Sequence, residues 1–403
     1  MKKREMTKEM NIKTIFLITL MFLLIAPLPL TVAYAESTWV IQTVDSGVAG
    51  WYPSLALDSN NYPSISYHEA YPGYNLKFAT WNGATWNIQT ADSAGDTGYY
   101  TSLALDATGR PHISYFDITK GDLMFARWNG AAWLNQTVDS TGMTGYYTSL
   151  ALNSNGSACI SYYGESPNND LKFATWNGST WLIQTVDSAG IVGWYTSLSL
   201  NSNGSACISY YDRTNGDLKY ARWSVSSWLI QTVDSIGDVG SYSSLALDST
   251  GHPHISYYDD TTDNLKYAQW NSSAWNIQIV DSVGNVGSYT SLKLASNGYP
   301  CISYYDATNG DLKLAWWNGT TWTIQTVDSV GDVGSYTSLV LDSTDRPYIS
   351  YFDETNDDLK YAFGQGVVVP EFSSAAFLVV FVVLSTVFTL IFKRKQTLGK
   401  QGL

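Results

Sequence analysis

Residues 242–282 read YSSLALDSTGHPHISYYDDTTDNLKYAQWNSSAWNIQIVDS. Apolar, aromatic and β-branched residues fill four short runs, at 243–248, 253–258, 265–270 and 275–281. Turn formers separate them: Ser249-Thr250-Gly251, the polar stretch 259–264, and Asn271-Ser272-Ser273. Runs of that length and chemistry, punctuated in that way, predict four β-strands joined by two tight hairpins and one longer loop. Other copies carry Asn-Gly at the last turn (Asn82-Gly83, Asn129-Gly130, Asn177-Gly178, Asn318-Gly319), a pair suited to the positive φ of a hairpin.

The same unit recurs along the chain. Trp-x-Ile-Gln-Thr-Val-Asp-Ser, or a close variant, starts at Trp39, Trp86, Trp133, Trp181, Trp228, Trp275 and Trp322. Ile-Ser-Tyr starts at Ile65, Ile113, Ile160, Ile208, Ile255, Ile302 and Ile349. Each series has seven members at a spacing of 47 or 48 residues. A four-stranded sheet repeated with a period in the forties predicts an all-β, seven-bladed β-propeller. No copy has helical periodicity, so a helical solenoid is excluded, and a parallel β-helix needs shorter rungs. The strands are apolar or small on both faces, as blades stacked face to face require.

The array opens on a fourth strand, 39–45, and closes on a third strand, 359–363. The first strand is therefore expected to complete the last blade, closing the ring and removing an exposed sheet edge. The propeller is placed at 39–364.

The two ends carry other signals. Lys2, Lys3, Arg4, Lys8 and Lys13 precede an apolar run, 15–30, and Ala33-Tyr34-Ala35 has the form of a cleavage site, so 1–35 reads as a signal peptide. After a short linker, 365–374, an uncharged apolar run at 375–392 is long enough for a transmembrane helix. Lys393, Arg394 and Lys395 open a basic tail, 393–403, expected to stay cytoplasmic. The propeller would then lie outside the cell, membrane-anchored at its surface. Without the terminal segments, 13 basic residues face 33 acidic ones, a net charge of −20 over 36–372. A phosphate backbone would be repelled, which argues against a nucleic-acid partner.

Residues present in all seven copies are read as structural, because an active site needs one constellation. The fourth-strand Asp (Asp45 to Asp328) is assigned to turn chemistry. Asp212, Asp259 and Asp306 are expected to face Lys219, Lys266 and Lys313 across a hairpin. The loop 212–217 has a faint calcium-loop look but lacks the spacing and distal glutamate of an EF-hand. Before each Ile-Ser-Tyr stands Ser64, His112, Cys159, Cys207, His254, Cys301 or Tyr348. One per blade, these are too dispersed to ligate one ion, so no metal or cofactor is assigned, and the three cysteines are expected to be buried free thiols.

Function is sought where the copies differ. Chain connectivity puts the inter-blade loops and the loops between strands two and three on one face, and the hairpin turns on the other. The residue before the repeated Tyr of the inter-blade loop is Trp51, Tyr99, Tyr146 and Trp194 in blades one to four, but Ser241, Ser288 and Ser335 in blades five to seven. Aromatics stack on sugar faces and anchor interfaces, or pack on neighbouring loops; the arc is the candidate binding site, for a glycan or a protein. His68, Glu69 and Glu165 sit on the same face, and two carboxylates near aromatics could act as a glycosidase pair. The expectation is nevertheless a binding or adhesion module, not an enzyme, with a structural envelope component second and a hydrolase third. Six sequons, at Asn135, Asn155, Asn177, Asn203, Asn271 and Asn318, are candidate glycosylation sites; all but Asn135 fall on hairpin turns.

Two resemblances follow. Pro370-Glu371-Phe372, the apolar span and Lys393-Arg394-Lys395 resemble an archaeal PEF-CTERM sorting signal, which implies an archaeal surface protein processed by an archaeosortase. The repeats are similar to the broad sialidase-like and BNR-type propellers. Leu-Asp-Ser-Thr-Gly in blade five matches part of an Asp-box turn without its trailing Trp. The arginines Arg110, Arg127, Arg213, Arg222 and Arg346 are scattered over the repeat, so sialidase activity is not implied.

Overall fold

The computed structural model describes residues 38–165 and 167–365. The signal peptide, the linker with its Pro-Glu-Phe motif, the apolar span and the basic tail lie outside the described residues. The rest is all β, in seven four-stranded antiparallel sheets. Blade five is typical: Val239–Leu247 is innermost, then Pro253–Asp259, Asn264–Trp270 and Trp275–Asp281. The strand Thr38–Asp45 pairs beside Asp358–Gln365 and completes blade seven. The ring closure expected from the sequence is therefore present.

One boundary differs. The inner strands begin three or four residues before the apolar run that marks them in sequence. The repeated Tyr and the residue before it lie inside the inner strand, not in the inter-blade loop. The register slips there in every complete pairing of inner and second strands; in blade one it does so between Trp51 and Ser54. This is a β-bulge. It breaks the period-two alternation, and a strand so interrupted reads as a loop.

Between blades, side chains replace the backbone ladder. The hydroxyl of each inner-strand Ser accepts the backbone N–H of a Leu in the next blade: Leu103 to Ser54, Leu245 to Ser197, and, across the closure, Leu55 to Ser338 at 3.1 Å. The Tyr of each Ile-Ser-Tyr is fully buried and donates to the fourth-strand Asp of the preceding blade. Tyr257 reaches Asp234 at 2.7 Å, and Tyr67 in blade one reaches Asp45 of the closing strand. That Asp does cap its turn, as expected: Asp234 Oδ1 accepts the Ile236 N–H. Its second oxygen holds the adjoining blade. The expected lysine pairs are also present, with Lys219–Asp212 at 2.6 Å, Lys266–Asp259 at 3.2 Å and Lys313–Asp306 at 2.5 Å. The same lysines reach back to the preceding blade, as Lys266 does to Asp234 at 2.7 Å. Cys159, Cys207 and Cys301 are buried and free.

Candidate functional site at the mouth of the ring

The bulge turns one side chain per blade toward the axis. Tyr52, Tyr100, Tyr147, Tyr195, Tyr242, Tyr289 and Tyr336 all have φ between 50° and 55°. For a non-glycine residue that conformation is uncommon, and strained where nothing compensates it. Here each tyrosine gains two aromatic neighbours. Around the circle the ring centroids stand 4.5, 4.7, 4.5, 4.4, 4.6, 4.3 and 4.6 Å apart. Seven such steps close a circle of radius about 5 Å, within the range of favourable aromatic contacts. The seven rings alone line a cavity of about 230 Å³. Burial pushes the Tyr52 phenol up to about 12, although the hydroxyls of Tyr336 and Tyr100 lower it. Burial also raises Tyr100, Tyr147, Tyr195, Tyr289 and Tyr336. At neutral pH these six hydroxyls are uncharged, able to donate and to accept.

The arc singled out from sequence sits outside this ring and joins it. Trp51 packs on Tyr336 at 5.8 Å and on Phe352 at 4.8 Å. Tyr99 lies 5.7 Å from Tyr52, Tyr146 5.9 Å from Tyr100, and Trp194 5.5 Å from Tyr147. The four are thus linked through the inner tyrosines into one aromatic belt over blades one to four. All four are half-buried. Arg213 lies 4.5 Å over the Trp194 ring, and Tyr99 donates to Asp96 Oδ2 at 3.3 Å.

Glu69 and Glu165 are not brought together as a pair. Glu69 is held in blade one by Asn75 Nδ2 at 2.5 Å and Lys77 at 3.2 Å. Glu165 is exposed in blade three, beside the Tyr146 hydroxyl, whose pKa stands at about 12 through burial first and that carboxylate second. His68 is buried, and Nδ1 donates to the Thr97 carbonyl at 2.8 Å. Burial lowers its pKa against the pull of Thr97 and Asp96.

On blades five to seven, small hydroxyls and acids take the aromatic positions. Ser335 donates to Glu354 Oε1, and Asp260 stands beside Ser241. Tyr305 donates to Asp332, and Tyr258 to Asp263. Burial, with Asp238 and Asp259 nearby, raises the Asp260 carboxyl in spite of Ser241. The mouth is therefore aromatic on one side and rich in acceptors on the other, with phenols at its centre. Sequence reasoning missed the seven tyrosines because it treated sevenfold repetition as structural; the signal was an aromatic fixed beside a broken alternation. The sequon residues Asn155, Asn177, Asn203, Asn271 and Asn318 lie in hairpin turns, and Asn135 lies in the outer strand Trp133–Asp139.

Fold and site together define a seven-bladed β-propeller with an aromatic-lined axial mouth. No protein-family model and no curated protein matches the chain. Solved structures do. The chain is similar to an ulvan lyase of polysaccharide lyase family PL25, at 14% identity over 79% of this chain and 93% of that one, TM-score 0.56. It is similar to AofleA from Arthrobotrys oligospora, at 16% identity over 73% and 90%, TM-score 0.50. It is also similar to a fucose-specific lectin from Aleuria aurantia, at 13% identity over 72% and 99%, TM-score 0.48. At these identities the likeness is one of fold. It corrects one expectation: the chain was read as not an enzyme, yet a polysaccharide lyase has this architecture, so the fold leaves enzymatic activity open.

Proposed function

We propose that the chain is a glycan-binding module that engages its ligand at the axial mouth. The observation that carries this reading is the division of the mouth. Trp51, Tyr99, Tyr146 and Trp194 offer ring faces on which the C–H faces of sugars stack. Ser241, Asp260, Ser335 and Glu354 offer acceptors and hydroxyls opposite them, and the inner tyrosines add neutral hydroxyls between. Concave sites of this composition, mostly aromatic with a few directed polar groups, are those small polar ligands use. The acidic balance favours neutral or basic glycans over acidic ones. An ulvan lyase of similar fold, solved bound to -[GlcA(1-4)Rha3S]-, supports the view that a propeller of this kind can take a polysaccharide ligand.

The proposal extends to place. A signal peptide at 1–35 and an anchor at 375–392, with Pro370-Glu371-Phe372 as a sorting motif, would present this face outward from a cell surface, where the role would be adhesion. A glycan array probed with the wild type and with Trp51→Ala/Trp194→Ala tests the site. A set of neutral glycans bound by the wild type and lost by the double variant, at an unchanged melting transition, is the expected outcome. Identical array profiles for the two proteins refute the site. Incubating the bound glycans and following their chain length reports whether binding leads to cleavage.

A further inference from the structure

The junction of blades five and six and that of blades seven and one open into cavities on the hairpin face, opposite the axial mouth. The junction of blades five and six holds a cavity of about 560 Å³, whose lining includes Asp248, His254, Tyr267, Gln278, Tyr299 and Trp317. The junction of blades seven and one holds one of about 450 Å³, whose lining includes Asp342, Tyr348, Tyr361, Gln42, Tyr62 and Trp81. In repeat register the two sets correspond residue for residue: Asp to Asp, Tyr267 to Tyr361, Gln to Gln, Tyr299 to Tyr62 and Trp to Trp. Two lining positions differ, His254 against Tyr348 and Gln269 against Phe363.

The sequence singles out the same two junctions. The tyrosine before the second-strand Pro occurs in blades one and six alone; the other copies have Arg110, Ser157, Ser205, His252 and Arg346. The turn Asp is replaced by Asn153, Asn201 and Ala295 at three junctions, and Gly364 stands where blade seven would carry the Trp. The full set of Asp, third-strand Tyr, Tyr-Pro and Trp is met between blades five and six and between blades seven and one, and nowhere else in the array.

The polar atoms are set alike at the two places, except that Asp342 Oδ2 already accepts the Tyr348 hydroxyl at 3.1 Å, whereas Asp248 Oδ2 stands 3.8 Å from His254 Nε2. Asp248 Oδ1 is committed to its turn, accepting from the N–H groups of Thr250 and His252. Asp342 Oδ1 accepts from those of Thr344 and Arg346. Gln278 Oε1 accepts the Trp322 indole N–H at 3.0 Å, and Gln42 Oε1 accepts that of Trp86 at 3.1 Å. Each amide is thereby oriented, with its NH₂ left as a donor. His254 is buried; its Nδ1 is bound to the Tyr267 hydroxyl, and its Nε2 faces Asp248 Oδ2 at 3.8 Å.

We propose that these two junctions are equivalent binding pockets for a neutral pyranose. An indole and a phenol give the apolar wall on which one sugar face stacks. The oriented amide donates to a ring hydroxyl; between blades five and six Asp248 Oδ2 accepts from another, and the carboxylate at either rim disfavours anionic sugars. The cavities fall in the size range of small-ligand sites. These pockets are independent of the axial mouth.

Calorimetric titration of the full chain with methyl α-L-fucoside, methyl β-D-galactoside, methyl α-D-mannoside and methyl β-D-glucoside tests the inference. Saturable binding of at least one, at two sites per chain, is expected. Tyr62→Ser and Tyr299→Ser introduce the residue that blades three and four already carry, so the fold is retained. Each should remove one site, and the pair should weaken binding at least about tenfold, a loss of about 1.4 kcal/mol. Trp51→Ala/Trp194→Ala should leave both sites intact, which separates these pockets from the mouth. Absence of binding for all four sugars at millimolar concentration overturns the proposal, as does a stoichiometry unmoved by the two serine variants.

Discussion

A buried carboxylate in this protein rarely has one job. Asp234 caps its own turn, accepts from Tyr257 of the next blade and pairs with Lys266. Burial alone would raise its pKa, yet the lysine and tyrosine hydrogen bonds outweigh burial and bring it below the ordinary 3.8. Asp139 is lowered in the same way, as are Asp212 and Asp306 beside Lys219 and Lys313. A carboxyl depressed in the folded state stabilises the fold above its unfolded pKa, and that contribution is lost as pH falls through the folded value. Denaturant titrations are therefore expected to show no loss from these groups down to about pH 5 and a steep loss below about pH 4. Lys266→Met, the residue blade two has at Met124, should cost about 2–3 kcal/mol at pH 7, because it strands a buried charge. It should also flatten the acid limb; an unchanged acid limb would show that the lysine does not set it. Blade one offers a contrast. Six second-strand serines, such as Ser303 with Thr337 at 2.8 Å, meet a hydroxyl of the next blade. Blade one has Pro53 at the equivalent position, and the Ser350 hydroxyl has no hydrogen-bond partner among the described residues.

At the scale of the strand, the inner edge of each blade is shaped by Gly-x-Tyr. Gly240 has φ +113°, and a Cβ there would stand 2.8 Å from the Leu218 Cα of the preceding blade. Both the conformation and the close approach require glycine. Two residues on, the bulge sends Tyr242 to the axis. Gly240→Ala is expected to lower stability by about 2–4 kcal/mol, the range for strain combined with overpacking, as read from the midpoint of urea unfolding. A cost below about 0.5 kcal/mol, typical of an exposed site, would mean that the blades can separate there without penalty.

For the whole molecule the decisive contact is the one that closes the ring. Thr38–Asp45 pairs beside Asp358–Gln365, Tyr67 donates to Asp45, and Gly47 N–H reaches Asp358 Oδ1 at 3.2 Å. Deleting 38–45 leaves the third strand of blade seven as an open edge and leaves Tyr67 without its acceptor. An open edge of paired-strand chemistry invites association. The truncated protein is expected to elute from size exclusion as oligomers and to melt at least several degrees lower. A monomer with the native melting transition would show that the ring is held by the blade interfaces alone.

Much of this architecture was written in the chain. Seven copies of Trp-x-Ile-Gln-Thr-Val-Asp-Ser, and an array that opens on a fourth strand and ends on a third, determine blade number, strand order and closure, because period and turn chemistry are local properties. The Asp–Lys pairs were equally legible, since a hairpin register fixes which residues face each other. The aromatic arc was visible as a break in repetition from Trp51 to Trp194. What the sequence could not give was the centre. Tyr52 and its six equivalents are alike in every copy and lie one per blade, nearly fifty residues apart in the chain. Only closure of the ring, with a bulge turning each side chain inward, sets them side by side at about 4.5 Å and makes seven separate residues into one surface.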